Sequence, residues 1–197
     1  MMEKIPLDTL NKLDASHRNE LTLQLDADNR IVCLSSNWEE IAEQGQAGKQ
    51  LAEANVLNQP LSRFIADKAT WLYYDSCLKL CRIKQQVITR AYRCDSPTHK
   101  RFMELQLIPL EQGWVEMKHF LVRSEAFEFT VNIHDVTQQQ PAESYRFTRC
   151  SLCNRLKDQA SDDWQTPESF GAQFIQPVNV IHSICTECQT TNWQVQT

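Results

Sequence analysis

Two short stretches decide how this chain is organised, Cys150-Ser-Leu-Cys153 and His182-Ser-Ile-Cys185-Thr-Glu-Cys188. The two Cys-x-x-Cys pairs are separated by 31 residues, and the histidine lies three positions before the second pair. A Cys-x-x-Cys turn can aim two thiolates at one point, and two such turns supply the four tetrahedral ligands that Zn²⁺ prefers. The spacing therefore predicts a zinc site, for which the residues between the pairs must fold back.

The expected ligands are the four cysteines Cys150, Cys153, Cys185 and Cys188. His182 is an alternative ligand, because two residues separate it from Cys185; with four thiolates bound it would instead be a hydrogen-bonding neighbour of the site. A closed four-cysteine site has no open coordination position, so the metal would be structural. It would supply much of the folding energy of a segment of about 50 residues, which has little core of its own.

A thiol–disulfide redox sensor is the second interpretation of the same cysteine pairs. In that case one or both pairs would cycle between dithiol and disulfide without a metal. The residues leave this alternative open, although two doublets of equal internal spacing favour the tetrahedral metal site.

The amino-acid composition argues against several classes of protein. The chain has 197 residues, 42% of them hydrophobic, which is enough for one domain with a core and a small appendage. Its net charge of −5 argues against a nucleic-acid or anionic-membrane surface. Only four glycines are present, in no phosphate-binding loop, and no catalytic motif is visible, so we expect a protein that is not an enzyme.

The location is expected to be cytoplasmic. The first 20 residues are polar and lack the apolar core of a signal peptide, and no apolar run is long enough for a membrane span. In a reducing compartment, eight cysteines favour free thiols or metal ligands over disulfides.

Hydrophobic periodicity predicts an α+β fold. Alternating residues indicate strands, apolar residues at helical intervals indicate helices, and turn residues separate them. The strand predicted over 124–136 either extends the edge of the sheet or belongs to the linker. The predicted elements are, in order, an amphipathic helix over 2–19, strands over 21–25 and 30–34, a helix from about 37, a helical stretch over 51–56, a long helix over 67–83, and strands over 86–94, 101–110, 114–122 and 124–136.

Several of these stretches resemble known sequences. The Asp-rich turn before Arg30-Ile-Val and the Ser36-Asn-Trp38 stretch resemble the opening of a PAS domain, a cytosolic sensory module. The stretch Tyr92-Arg-Cys-Asp-Ser-Pro97, with Arg101-Phe-Met-Glu104 and Ile108-Pro-Leu110, looks like a bacterial subgroup of that family with a cysteine tail.

The tail itself is similar to tails found beside PAS domains and response regulators. The resemblance rests on the two cysteine pairs, Trp164 and His182. Many such tails have a glycine after the histidine, where this chain has Ser183, a departure that touches no expected ligand.

The resemblance implies a PAS-like antiparallel five-stranded sheet with helices on one face, followed by a small zinc-ribbon-like module. The expected division is an N-terminal helix over 1–20, a PAS-like sensor domain over 21–136, a linker over 137–144 and a cysteine-rich module over 145–197. The implied function is signalling, through a small ligand in the PAS cavity or a protein partner. A second copy of the chain is a further expected partner.

The end of the long hairpin is the expected ligand or partner surface, formed by Arg93, Cys94, Asp95, Ser96 and Arg101. A cation beside Cys94 would make its thiol reactive by lowering its pKa. The alternative is that these residues only form the turn and an ion pair across the strands.

A haem site is the last alternative that the sequence raises. His119 lies in the final strand of the hairpin set and could face a cavity, as in some PAS-like sensors. A lone histidine among apolar neighbours is more often a hydrogen-bonded core residue, so haem is not expected.

Overall fold

The computed structural model describes residues 20–44, 48–138, 145–174 and 176–191. Within these ranges the chain forms two five-stranded sheets. The helix expected over 2–19 lies outside the described residues, as does most of the expected linker. No helix in the described ranges is both long and apolar enough to cross a bilayer.

The first sheet is antiparallel and has the strand order β2-β1-β5-β4-β3. Two strands, a helical segment and a three-stranded meander follow one another along the chain, so the predicted α+β fold with a PAS-like sheet is confirmed. The strands of this sheet are β1 (Glu20–Leu25), β2 (Ile31–Leu34), β3 (Ile88–Arg93), β4 (His99–Pro109) and β5 (Val115–Ala126).

The helical segment between β2 and β3 covers one face of the sheet. It comprises α1 (Trp38–Gln44), α2 (Glu53–Val56), a 3₁₀ turn (Leu61–Phe64) and the long helix α3 (Lys68–Lys84). The α3 helix lies on the sheet, where the Cys81 thiol donates a hydrogen bond to the Leu107 carbonyl at 3.4 Å.

The long helix lies one residue later at each end than the range predicted from the sequence. Asp67 caps its N-terminus, since its carboxylate accepts hydrogen bonds from the Thr70 backbone N–H at 2.8 Å and the Thr70 hydroxyl at 2.5 Å. Gln85 ends it in a left-handed conformation, with φ of 51°. Leu72 is 51% exposed, because the buried face of the helix follows Thr70, Tyr73, Cys77 and Cys81.

The second sheet combines parallel and antiparallel pairs in the order β6-β10-β7-β8-β9. Strand β10 lies parallel to both β6 and β7, whereas β8 lies antiparallel to both β7 and β9. Its core is built from Phe147, Phe174, Leu156, Val180 and Val131. The elements are β6 (Ile133–Asp135), β7 (Phe147–Cys150), β8 (Leu156–Asp158), β9 (Trp164–Gln165), β10 (Val178–Ser183) and the closing helix α4 (Thr186–Thr191).

The strand predicted over 124–136 is wrong as one element. Its first residues end β5, and its last residues are β6, which belongs to the second sheet. The residues between them bridge the two sheets: the Val131 N–H bonds to the Pro97 carbonyl of the β3–β4 hairpin at 2.8 Å, while the Val131 side chain is buried in the second core.

Asp67 joins the two parts of the fold, which gives a first prediction. Besides capping α3, its carboxylate accepts a hydrogen bond from the Ser151 hydroxyl at 3.2 Å. We expect Asp67→Ala to lower the free energy of unfolding by about 1–2 kcal/mol, measured by urea denaturation, because the cap is lost. Asp67→Asn should retain most of the stability, since an amide oxygen also caps a helix.

Asp75→Ala is the matched control on the same helix. Asp75 pairs with the exposed Lys79 at 2.6 Å, an interaction of the kind that contributes about 0.3–0.5 kcal/mol. Equal losses for Asp67→Ala and Asp75→Ala would show that the cap and the Ser151 contact contribute nothing specific.

Candidate metal centre and adjoining cavity

The four cysteines expected as ligands form one cluster. The sulfur atoms of Cys150, Cys153, Cys185 and Cys188 all lie within 4.8 Å of one another, and the Cys153 and Cys185 sulfurs are 3.8 Å apart. A metal about 2.3 Å from each of four tetrahedrally placed sulfurs would separate the sulfurs by about 3.8 Å. The cluster therefore has the size of a tetrathiolate metal site, although its geometry does not identify the metal.

The second sheet explains how pairs so distant in sequence meet. Cys150 ends β7 and is paired with Ser183 at the end of the neighbouring strand β10. After Cys150 the chain turns through Cys153 to Asn154, whose N–H bonds to the Cys150 carbonyl at 2.9 Å and whose φ is 59°. We refer to residues 150–154 as the cysteine turn.

Backbone N–H groups also point at the sulfurs. The Cys185 N–H approaches the Cys150 sulfur, and the Cys188 N–H approaches the Cys185 sulfur, both at 3.4 Å. Such donors stabilise a thiolate more than a thiol, because the negative charge strengthens the hydrogen bond. The arrangement therefore favours ionised cysteines, the form that binds metals.

The pKa shifts of the clustered cysteines favour the binding of a cation. The neighbouring thiols of Cys153, Cys185 and Cys188 donate to the Cys150 sulfur and hold its pKa far below the usual range. The pKa of Cys188 is raised, because its thiol lies beside that thiolate and is buried. Four sulfurs this close cannot all ionise alone, whereas a divalent cation would replace their protons.

An ion pair lies beside the cysteine cluster. Arg155 forms a two-pronged pair with Glu187, which raises the pKa of the guanidinium and lowers that of the carboxyl group. The charges of Cys153 and Cys185 also raise the pKa of Arg155. A cation at this position offsets part of the negative charge of a tetrathiolate site.

His182 points away from the sulfurs. Its Nδ1 lies 3.3 Å from the Ser151 hydroxyl, and its Nε2 lies 3.8 Å from the Asp135 carboxylate. Burial lowers its pKa, an effect that Asp135 partly opposes. Since both ring nitrogens face oxygen atoms, the geometry favours four cysteine ligands, with His182 beside the cysteine turn.

The hairpin residues expected as a ligand or partner surface are together at the end of β3 and β4. Arg93 forms a two-pronged ion pair with Asp95, at 3.1 and 2.5 Å, and the Arg101 N–H also bonds to Asp95. The Arg101 guanidinium contacts Cys94 through the carbonyl at 2.6 Å and the sulfur at 3.4 Å, and Ser96 accepts from the His99 N–H. These contacts form the turn and the ion pair; a ligand or partner role stays a prediction.

This hairpin end contacts the cysteine turn directly. The Arg93 N–H donates to the Leu152 carbonyl at 2.7 Å. On the other side of the turn, Ser151 bonds to Asp67 at the start of α3. Cys150, Leu152 and Ile184 also pack into the same hydrophobic core as the first sheet.

A cavity of about 370 Å³ lies where the first sheet, the start of α3 and the cysteine turn meet. The first sheet and the helical segment supply its apolar residues, whereas its polar residues come from both sheets and from the cysteine turn. The apolar wall includes Leu23, Leu61, Phe64, Ile65 and Met117. The polar side includes Arg149, Ser151, Asn154 and His182, together with Tyr92, Arg93, Asp95 and His119.

His119, the residue considered for haem, lines this cavity. Its Nδ1 shares a hydrogen bond with the Tyr92 hydroxyl at 2.9 Å, and burial lowers its pKa to about 4. The imidazole is therefore neutral at physiological pH. These contacts are those of a hydrogen-bonded core residue, and no described contact points to haem.

Two residues of the cavity wall, Arg149 and Asn154, have buried polar atoms that sequence reasoning did not anticipate. The Nε of Arg149 and the side-chain nitrogen of Asn154 are fully shielded from solvent and have no hydrogen-bond partner among the described residues. Both residues flank expected ligands, Cys150 and Cys153. Their proximity to the cysteines was the available signal, but their orientation depends on how the cysteine turn packs.

The similarity of this chain to known proteins is confined to solved structures. No protein-family model matches it, and no curated protein does. Similar solved structures include a domain of an HTR-like protein from Haloarcula marismortui, with 13% identity over 55% of this chain and 97% of that chain, and a TM-score of 0.36.

Two further solved structures are similar at the same level. A sensory box sensor histidine kinase from Vibrio cholerae has 10% identity over 62% of this chain and 90% of that chain, with a TM-score of 0.36. The PAS domain of nitrogen regulation protein NR(II) from Vibrio parahaemolyticus has 16% identity over 63% of this chain and 99% of that chain, with a TM-score of 0.32. At such low identities, the function has to be argued from the site.

The four cysteines expected as metal ligands give a second prediction. We expect Cys188→Ser to lower the metal bound per chain, because a tetrathiolate site loses one ligand, and His182→Gln to leave the metal content unchanged. Elemental analysis of each purified variant would measure this. Cys33→Ser is the control, since Cys33 is exposed and lies outside the cluster. Metal loss in His182→Gln, with retention in Cys188→Ser, would make the histidine a ligand.

Proposed function

We propose that this protein is a bacterial, cytoplasmic signalling or regulatory protein. Its PAS-like sheet senses a small ligand or binds a protein partner, and a structural Zn²⁺ ion in the tetrathiolate site fastens the C-terminal module to that sheet. One observation carries the proposal: the cysteine turn that would hold the metal also forms part of the cavity wall.

The contacts across the cavity support a sensory role. Ser151 is bonded to the cap of α3, and Leu152 is bonded to the end of β3. A ligand that binds better to one position of the cysteine turn than to another would shift the population of the two positions. That shift would alter the surface of the module, through which a partner protein or a second copy of the chain would read the signal.

Zinc suits the role of a structural ion. It has a borderline-soft character that matches thiolates, prefers four tetrahedral ligands and undergoes no redox change. In zinc-finger peptides a structural Zn²⁺ contributes on the order of 10–16 kcal/mol of binding free energy, which is folding free energy when the site is absent in the unfolded chain. The small second core would gain most from this contribution.

Metal and thiol content test the structural zinc site against the redox sensor. We expect protein purified without added metal to contain one zinc ion per chain. In the native protein, thiol reagents should reach the exposed Cys33 and Cys94, whereas the cluster cysteines should react only after chelation. Metal-free protein whose Cys-x-x-Cys pairs interconvert reversibly between dithiol and disulfide would support the redox sensor instead.

Chelation should also loosen the cavity wall. We expect removal of the metal to accelerate hydrogen exchange of the Arg93 N–H, because its acceptor, the Leu152 carbonyl, belongs to the cysteine turn. The Met117 N–H in the centre of the first sheet is the control and should exchange at an unchanged rate. Equal acceleration at both positions would indicate general unfolding, and no change at Arg93 would show that the metal does not hold the wall.

A further inference from the structure

A polar atom at the cavity is left open to a ligand, the Nε2 of His119. The other ring nitrogen, Nδ1, shares a hydrogen bond of 2.9 Å with the Tyr92 hydroxyl. Nε2 has no hydrogen-bond partner among the described residues, yet it is not one of the polar atoms that the fold shields fully from solvent. A water-sized molecule can therefore reach this nitrogen, and His119 lines the cavity.

The position of His119 in the first sheet explains why Nε2 opens to the cavity rather than to the outer surface. His119 is paired with Leu21 on β1 and with Leu105 on β4, and residues paired across antiparallel strands share a face. Leu105 is only 1% exposed, because this face packs against the helical segment. The imidazole therefore projects between the sheet and its helices, where the cavity lies.

The hydrogen bond with Tyr92 determines what Nε2 can offer. Burial lowers the pKa of His119 to about 4, so the imidazole is neutral at physiological pH and carries one proton on its two nitrogens. A phenol is a stronger acid than a neutral imidazole, so the Tyr92 hydroxyl donates to Nδ1 and the proton of the ring lies on Nε2. Nε2 therefore presents an N–H donor to the cavity, and a ligand there needs an acceptor.

The apolar residues of the cavity indicate what the rest of the ligand is. Leu23, Phe64 and Met117 present hydrocarbon and thioether surface. Binding sites of this kind take a mostly apolar molecule that a few polar groups orient. A volume of about 370 Å³ is at the small end of the range for ligand sites and has room for one ring with a short substituent.

The charged side chains at the cavity do not favour an anion. Arg93 and Asp95 form a two-pronged ion pair, so their charges offset each other. The Nε of Arg149 is shielded from solvent, so a ligand cannot reach this nitrogen. An anion placed at His119 would lose its hydration in exchange for a neutral partner, which is unfavourable. The site therefore favours an uncharged ligand.

We propose that this cavity binds a small, uncharged molecule with an apolar body and a carbonyl-type oxygen that accepts a hydrogen bond from His119 Nε2. This inference rests on the proposed sensory function and specifies its ligand. His119 and Met117 belong to β5, and Phe64 ends the 3₁₀ turn before α3. The ligand would therefore contact the first sheet and the helical segment together.

The test compares three probes of nearly the same shape on the full chain: acetophenone, α-methylstyrene and benzoate. α-Methylstyrene has a CH₂ group in place of the carbonyl oxygen of acetophenone, and benzoate has a charged oxygen in place of its methyl group. NMR follows occupancy of the cavity through the ¹³C-methyl signal of Met117 and the hydrogen bond through the ring ¹⁵N signals of His119. We expect acetophenone to shift both residues saturably, α-methylstyrene to shift Met117 without moving the Nε2 signal, and benzoate to bind at least about tenfold more weakly than acetophenone.

A variant isolates the hydrogen bond. His119→Phe keeps an aromatic ring but removes the donor, so acetophenone should bind at least about fivefold more weakly, whereas the affinity of α-methylstyrene should stay within about twofold. His134→Phe is the matched control, because His134 is exposed on β6 and shares its hydrogen bond with Asn179. In this control both affinities should stay within about twofold of the unaltered chain.

Each outcome has a distinct meaning. Equal weakening of acetophenone and α-methylstyrene by His119→Phe, or an unmoved Nε2 signal with acetophenone bound, overturns the hydrogen bond to His119. Benzoate that binds as tightly as acetophenone overturns the uncharged ligand. In these cases the cavity remains a ligand site, and the proposed function keeps its support.

If none of the three probes shifts the Met117 signal, the inference is overturned, and the small-ligand form of the proposed function loses its support as well. Should His119→Phe fail to fold, the response of the Nε2 signal in the unaltered chain decides.

Discussion

The fold depends on how the cysteine turn docks against the first sheet. Three contacts hold it there: the Ser151 hydroxyl on Asp67, the Leu152 carbonyl on the Arg93 N–H, and the packing of Leu152 in the larger core. A single turn of five residues therefore places two of the four sulfurs and also closes the cavity. Any change that moves the turn must change the cysteine cluster and the cavity together.

Coordination of the proposed metal ion would reinforce these weaker contacts. The two hydrogen bonds that hold the cysteine turn would each contribute about 1 kcal/mol, and the second core has only five buried residues among those described. A metal ion bound by the four thiolates would contribute far more and would hold residues 150–154 rigidly, giving the Asn154 and Ser151 side chains defined positions at the cavity.

Much of this organisation could be read from the sequence. The spacing of Cys150, Cys153, Cys185 and Cys188 is a local chemical pattern, and Asp67 marks the start of α3 through its own hydrogen bonds. The placement of Ile133–Asp135 could not be read, because these residues pair with a strand about 45 positions further on, as in the His134–Asn179 contact. Nor could spacing show which way the His182 ring points, or that Arg149 and Asn154 meet at one cavity, since both depend on the docking of the cysteine turn.

The order of the second sheet has a consequence for biosynthesis. Strand β10 lies between β6 and β7, so neither of these strands has its central neighbour until the ribosome has translated residue 183. The first sheet has all five of its strands by residue 126 and can fold while the rest of the chain is still being made. During that interval Cys150 and Cys153 are already synthesised but lack their partner thiols. The four-cysteine cluster can therefore form only after Cys188 has been synthesised.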